Sequence, residues 1–142
     1  IGFIAAGTMD DKYKELVERL VGEGKLRYDG ELADTRGFLK EASCLVLPTY
    51  HPEGLSNVIL EACATGRPVI CTPRTGCKEI VEDGVNGFYC KAKDVGNLES
   101  VLRRFMSLSN EERERMGESG RRIVEGRFDR KIVVDEYLSL LG

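Results

Sequence analysis

The sequence predicts an α/β domain: a doubly wound, Rossmann-like parallel sheet followed by a helical C-terminal third. Three observations carry that prediction. Short apolar runs alternate with helix-period patterns through the first two thirds of the chain. The strand candidates are unbroken apolar runs rather than alternating ones, the habit of parallel strands buried on both faces beneath crossover helices. The last third holds helical patterns alone.

Each element has its own signal. Residues 1–6 form an apolar run closed by Gly7 and Thr8. Asp10 can cap a helix carrying Tyr13, Leu16, Val17, Leu20 and Val21, spaced i, i+3, i+4, i+7, i+8. Gly22 and Gly24 stop it. Residues 26–28 read as a second strand, and Asp34 can cap a short helix with Phe38, Leu39 and Ala42. Residues 44–47 make a third strand, closed by Pro48. A helix begins near Ser56 and ends at Gly66-Arg67-Pro68, a glycine stop before a breaker. Residues 69–72 are a fourth strand, and a short helix is expected over about residues 77–82. Asp83-Gly84 and Asn86-Gly87 mark turns around a fifth strand at 88–90. Asp94 caps a pattern of Val95, Leu98, Val101, Leu102 and Phe105. Ser109-x-x-Glu112 is a capping box, and Asp129 precedes a last helix bearing Val133, Tyr137, Leu140 and Leu141.

Composition narrows the function. With 142 residues, 42% hydrophobic and 32% charged, the chain fits one globular domain with its own core and excludes disordered, collagen-like and coiled-coil classes. No apolar run approaches the roughly 20 residues of a membrane span. Nothing basic precedes the first apolar stretch, so no secretory leader is expected and a cytoplasmic setting is. A net charge of −3 argues against nucleic acid as a partner. The C-terminal arginines are interleaved with glutamates, as on a solvated, ion-paired helix face. Five cysteines, an odd number without a C-x-x-C pair, read as reduced thiols and against zinc. The chain opens inside an apparent strand, so the expectation is a fragment of a longer protein.

Ligands of open α/β sheets bind beyond the carboxyl ends of the strands. Three loops qualify, at residues 7–9, 28–34 and 48–57, and the third stands out. Gly54 permits close approach of backbone to a ligand, and the N–H groups near Leu55, Ser56 and Asn57 open a helix and suit an anion. Val58, Ile59, Leu60, Ala62, Cys63 and Ala64 cover most of that helix, which reads as buried. Asn57, Glu61 and Thr65 form its single polar stripe. Glu61 at a crevice edge can accept ligand hydroxyls, though a solvated or arginine-paired glutamate explains it as well. Glu53, eight residues earlier, adds a second carboxylate. Amide donors with two carboxylates match a ligand having both phosphate and sugar parts.

The segment EGLSNVILE resembles the E-x7-E signature of family 4 retaining glycosyltransferases, which have the two-Rossmann-domain GT-B architecture. The stretch CLVLPTYHPEGLSNVILEACATGRPVI, followed by TGCKEIVEDGVNGFY, resembles the nucleotide-sugar-binding C-terminal domain of that family. The likeness covers essentially the whole chain. It implies that Glu53 contacts the donor sugar beside the reacting centre, the catalytic position. It implies that Glu61 holds the ribose hydroxyls, with Gly54, Leu55, Ser56 and Asn57 near the sugar and diphosphate. Arg27 and Tyr28 match the region beside the base, where contacts are largely main-chain. No metal and no cofactor are expected, because amides and basic side chains stabilise the leaving diphosphate.

Two departures matter. The family places Gly where Ser56 stands. Its first β–α unit, which supplies the basic residues for the diphosphate, and its N-terminal acceptor domain are not in residues 1–142. The expectation is therefore one partial donor domain, inactive alone. Its parent would move a sugar, UDP-linked by resemblance to capsule and lipopolysaccharide enzymes, to a glycan or lipid-linked acceptor. Peripheral association of that parent with the inner membrane face is compatible with this. The rival is a non-catalytic α/β nucleotide-binding or regulatory module. A signalling receiver would need an Asp at the end of the third strand, where Leu47-Pro48-Thr49 stands. His51 reads as a solvated loop residue, and Arg74 and Lys78 as surface charges able to replace part of the missing basic set.

Overall fold

The structure, a computed structural model, describes residues 2–51 and 54–141. The expectations placed on Ile1, on Glu53 and on the side chains of Val133 and Leu141 lie outside the described residues. Two compact units divide the chain, Ile1–Phe38 and Leu39–Gly142.

In the first unit, β1 (Phe3–Ala5) pairs in parallel with β2 (Leu26–Tyr28), Phe3 opposite Leu26 and Ala5 opposite Tyr28. The crossover is a 3-10 turn, Asp11–Tyr13, running into α1 (Lys14–Gly22). Asp10 opens it as expected: its carboxylate accepts from the Lys12 N–H at 3.3 Å, and the hydrogen bond and charge of Lys12 hold its carboxyl below the usual range. Val17 and Leu20 are half-buried on the predicted stripe, while Tyr13, Leu16 and Val21 are exposed.

The second unit holds a three-stranded parallel sheet in the order β3 (Leu45–Leu47), β4 (Val69–Cys71), β5 (Gly87–Tyr89). α2 (Arg36–Glu41) precedes it, and α3 (Asn57–Ala64) crosses from β3 to β4. α4 (Val95–Ser107), α5 (Asn110–Arg127) and α6 (Arg130–Leu141) complete the chain. The central strand shows why the sheet is covered on both faces. Val69 and Cys71 enter one core with Leu39, Ile59, Cys63 and Ile80, whereas Ile70 enters the other with Phe88, Phe105 and Met116. Burying each such large side chain stabilises the fold by about 1.5–3 kcal/mol.

Burial on both faces holds for β4, which is covered throughout. It does not hold for β3, which is half-buried, or for β1, where Phe3 is exposed. Edge position alone does not decide this, since β5 is also at an end of the order and buries Gly87 and Phe88; β3 instead lends both cores only partly buried side chains, Leu45 and Leu47 to one and Val46 to the other. Where β4 meets β5, Gly87 is obligatory, because a Cβ there would lie 1.9 Å from the Val69 carbonyl oxygen.

The helix expected over residues 77–82 is instead a run of turns. The Asn86 side chain, buried completely, accepts from the Glu82 N–H at 2.7 Å and donates to the Ile80 carbonyl at 3.0 Å. It takes the groups a helix would use. Asn86 stands in the turn before β5, as read from sequence, and is at the same time an internal pin. The later caps form as expected, Asp94 accepting from the Asn97 N–H at 2.8 Å and Ser109 with Glu112 closing a full capping box. α6 also forms, yet Tyr137, Leu138 and Leu140 are exposed rather than packed.

Candidate functional site

In the first unit the two strand-end loops are stitched together. The Gly7 N–H donates to the Gly30 carbonyl at 2.7 Å, and the Tyr28 hydroxyl donates to the Gly7 carbonyl at 2.6 Å. Tyr28 is half-buried and its hydroxyl is engaged, which is packing rather than a free stacking platform. Arg27 points outward in a forked pair with Asp29, its Nε 3.0 Å from Oδ1 and an Nη 2.9 Å from Oδ2. Such an exposed pair adds little stability.

In the second unit, the chain leaving β3 reaches α3 through the loop singled out by sequence. Its near part is anchored: the Thr72 hydroxyl, after β4, donates to the Thr49 carbonyl. Tyr50 and His51 lie ring to ring at 4.3 Å, and the Lys93 ammonium sits 4.6 Å from the Tyr50 ring centroid. His51 is exposed, as expected.

At the far end, Gly54, Leu55 and Asn57 are exposed and Ser56 is buried, with 4% of its surface accessible. Ser56 occupies the cap position of α3, but its hydroxyl makes no capping hydrogen bond. α4 and α5 differ, since their caps accept from Asn97 and Glu112. The Ser56 N–H is also committed, donating at 3.3 Å to the carbonyl of Gly76, a left-handed glycine at φ +87°. Of the three amides named from sequence, that of Ser56 is therefore the one occupied within the fold.

α3 is not buried all round, as its composition suggested. Ile59, Ala62 and Cys63 are buried, Val58 and Leu60 are partly covered, and Ala64 is exposed. Asn57 and Glu61 share the open face, one turn apart, and the Thr65 hydroxyl donates to the Glu61 carbonyl at 2.7 Å. The stripe of polar residues thus reaches solvent beside the helix N-terminus. That arrangement can accept ligand hydroxyls at Glu61 and take an anion at the first turn.

Sequence reasoning places Lys78 and Glu79 after a turn at Thr75-Gly76 but does not foresee that this turn holds the loop. Glu79 accepts from the Gly76 N–H at 2.6 Å, which fixes the left-handed glycine whose carbonyl receives Ser56. The signal was there: Gly76-x-x-Glu79 is half of a capping box. Beyond the carboxyl ends of β4 and β5 lies a cleft of about 440 Å³ lined by Thr72, Arg74, Tyr89, Lys91 and Asn97 among others. The cysteines stay in the interior: burial pushes the Cys44 and Cys63 thiols up to about 11, and that of Cys71 higher still. All five are free thiols. Among the described residues no three His, Cys, Asp or Glu side chains gather as a metal site, and no helix is long and apolar enough to cross a membrane.

Residues 1–123 match the family model described as Glycosyl transferases group 1. A lipopolysaccharide core biosynthesis glycosyltransferase of Rhizobium meliloti, LpsE, is 35% identical over 96% of this chain and 39% of its own length. CapM of Staphylococcus aureus, a capsular polysaccharide biosynthesis glycosyltransferase, is 34% identical over 77% of this chain and 28% of its own. The chain thus spans well under half the length of these relatives. Among solved structures, Anabaena HepE in complex with UDP superposes with a TM-score of 0.86 at 24% identity, over 99% of this chain and 40% of that one. That likeness extends the parallel-sheet α/β, Rossmann-like fold to the whole described chain.

Proposed function

From the premise that this chain belongs to the glycosyl transferases group 1 family, we propose that it is the donor-binding portion of a retaining, hexosyl-transferring enzyme. The parent protein takes a nucleotide diphosphate-sugar, UDP-linked, and passes the sugar to a glycan or lipid-linked acceptor held by an N-terminal domain. Its setting is polysaccharide, capsule or lipopolysaccharide synthesis in the cytoplasm, at the inner membrane face. The observation that carries this reading is the open face of α3, where Asn57 and Glu61 stand beside a helix start that has no side-chain capping hydrogen bond. Glu61 is assigned to the ribose hydroxyls, Gly54, Leu55 and Asn57 to the sugar and diphosphate, and Ser56 to holding the loop in place. Glu53 is assigned to the reacting sugar, and the main chain around Arg27 and Tyr28 to the base. The reading takes no cofactor and no metal, since amide donors and basic side chains stabilise the leaving diphosphate.

The test is a titration with UDP, GDP, ADP and a UDP-hexose, followed by backbone amide shifts. One nucleotide is expected to perturb residues 28–32 and 53–61 selectively, and less in Glu61→Ala. Silence with every nucleotide, in this chain and in one extended by the preceding β–α unit, overturns the proposal. Product anomeric configuration, read by NMR on the parent enzyme, tests retention separately.

A further inference from the structure

The cleft beyond β4 and β5 has a largely apolar lining that carries two cations. Arg74 follows β4 and Lys91 follows β5, and both cations line its volume of about 440 Å³. Arg27, Arg36, Arg103, Arg121 and Arg127 each hold a carboxylate within 3.0 Å, whereas Arg74 and Lys91 meet none among the described residues. No acidic side chain lines the cleft. Asp94, on the turn before α4, is engaged by the Asn97 N–H.

The neutral polar groups of the cleft divide: its two hydroxyls have spent their protons elsewhere and can only accept, and a single amide is left to donate. The Thr72 hydroxyl gives its proton to Thr49, and the Tyr89 hydroxyl gives its proton to the Val81 carbonyl. Asn97 accepts the Lys91 N–H through Oδ1 at 2.7 Å, so its amide NH2 is the end left over. The donors among the lining side chains are a guanidinium fork, an ammonium and an amide NH2. A group with several anionic oxygens answers all three, the fork taking two oxygens at once and the ammonium acting as a point charge.

We propose that this cleft is a second anion site, separate from the donor loop, and that its ligand presents a phosphate group. A sugar phosphate in solution and the headgroup of an anionic lipid offer the same chemistry. Both are of a size to enter from the open side, where Arg74 and Lys91 are exposed.

The probes are inorganic phosphate, glucose 6-phosphate, and phosphatidylcholine vesicles with and without phosphatidic acid, each added to the chain while amide shifts are followed. Shifts are expected at Arg74, Lys91, Ala92 and Asn97, weakening as sodium chloride is raised. Arg74→Gln and Lys91→Gln should each weaken binding by about tenfold and the double variant should abolish it, with the melting temperature unchanged in all three and the response of residues 54–61 to UDP unchanged in Lys91→Gln. Response to the two soluble phosphates assigns the site to a free ligand. Response confined to phosphatidic acid vesicles assigns it to a lipid headgroup. Shifts confined to residues 54–58, shifts that survive the double variant, or none with any probe overturn the proposal. Because UDP is read at different residues, that outcome leaves the donor assignment standing or falling by itself.

Discussion

Gly117 on α5 lies against Gly66, the glycine that ends α3: a Cβ at position 117 would fall 2.1 Å from the Gly66 carbonyl oxygen. Three residues on, a Cβ at Gly120 would lie 3.3 Å from the Cys63 sulfur. The two helices therefore meet backbone to backbone, and no rotamer change relieves a clash there. Gly117→Ala should destabilise the fold by about 3 kcal/mol. Gly126→Ala, on the same helix with nothing within 4 Å of its Cβ, should stabilise it by up to about 1 kcal/mol. Urea midpoints of the two variants read the contrast directly; equal midpoints would mean that α5 does not approach α3 so closely.

Asn86 joins three segments: it bonds Ile80 and Glu82 in the turns before it, and its amide points to the Cys63 sulfur of α3 at 3.8 Å. Truncation leaves a buried carbonyl and a buried N–H without partners. Asn86→Ala should cost about 3 kcal/mol of stability. Hydrogen exchange should show the loss first at residues 80–86, and protection unchanged there would deny the residue its pinning role.

How much of this was legible in the sequence depends on how local the deciding contact is. The caps at Asp94 and Ser109 close over three residues, and both form as read. β2 spans the residues expected of it: Leu26 and Tyr28 turn to one side and are half-buried, while Arg27 between them is exposed, the two-residue alternation of a strand. The helix expected over residues 77–82 does not form, residues 75–80 being turns, because the side chain that breaks the pattern stands further along, at Asn86. Ser56 reads as a cap and holds that position, but what its N–H does is decided by Gly76, twenty residues on and brought close only by the β3–β4 pairing. Glu61 was legible as the polar member of an apolar helix; its degree of exposure was not, since composition cannot say which face a neighbour covers.

The first turn of α5 carries a pH dependence of known sign. The Ser109 N–H donates to the Glu112 carboxylate at 2.7 Å and holds its carboxyl below the ordinary glutamate range. A folded value below the unfolded one gives stabilisation that is present at neutral pH and lost as the pH falls through the folded value. The side-chain carboxyl of Glu112 should titrate below the ordinary glutamate range, read by its NMR shift against pH. Glu112→Gln should remove the acid-side dependence of α5 fraying, and a Glu112 that titrates at the ordinary glutamate value would contradict the capping box.

The thiols shift in the opposite direction. Burial raises Cys44 and Cys63 to about 11, so the protonated form is favoured in the folded chain. Their contribution is intact below the ordinary thiol range, near pH 8.5, and fades as the pH rises above it. At pH 8 iodoacetamide should modify the folded chain slowly, with the half-buried Cys44 reacting before Cys63, Cys71, Cys77 and Cys90. In urea all five should react together. A core cysteine labelled in the folded chain as fast as in urea would show that its cover opens on the labelling timescale.

Gly54 offers the sharpest separation of folding from binding in the donor loop. A Cβ there meets nothing within 4 Å, so the protein itself does not require glycine at this position on grounds of space. What a methyl group would obstruct is an incoming ligand approaching the loop backbone. Gly54→Ala should leave the melting temperature within about 1 °C, as a surface substitution of less than 0.5 kcal/mol does, while weakening nucleotide-sugar affinity by at least about tenfold through overlap with the ligand. Glu61→Ala should weaken the same ligand by losing a charge-assisted acceptor, again by about tenfold. Losses of this kind in both variants would mark the residues on either side of the α3 start as one binding surface. A Gly54→Ala chain that binds as well as its parent would move the donor away from this loop, whatever Glu61→Ala does.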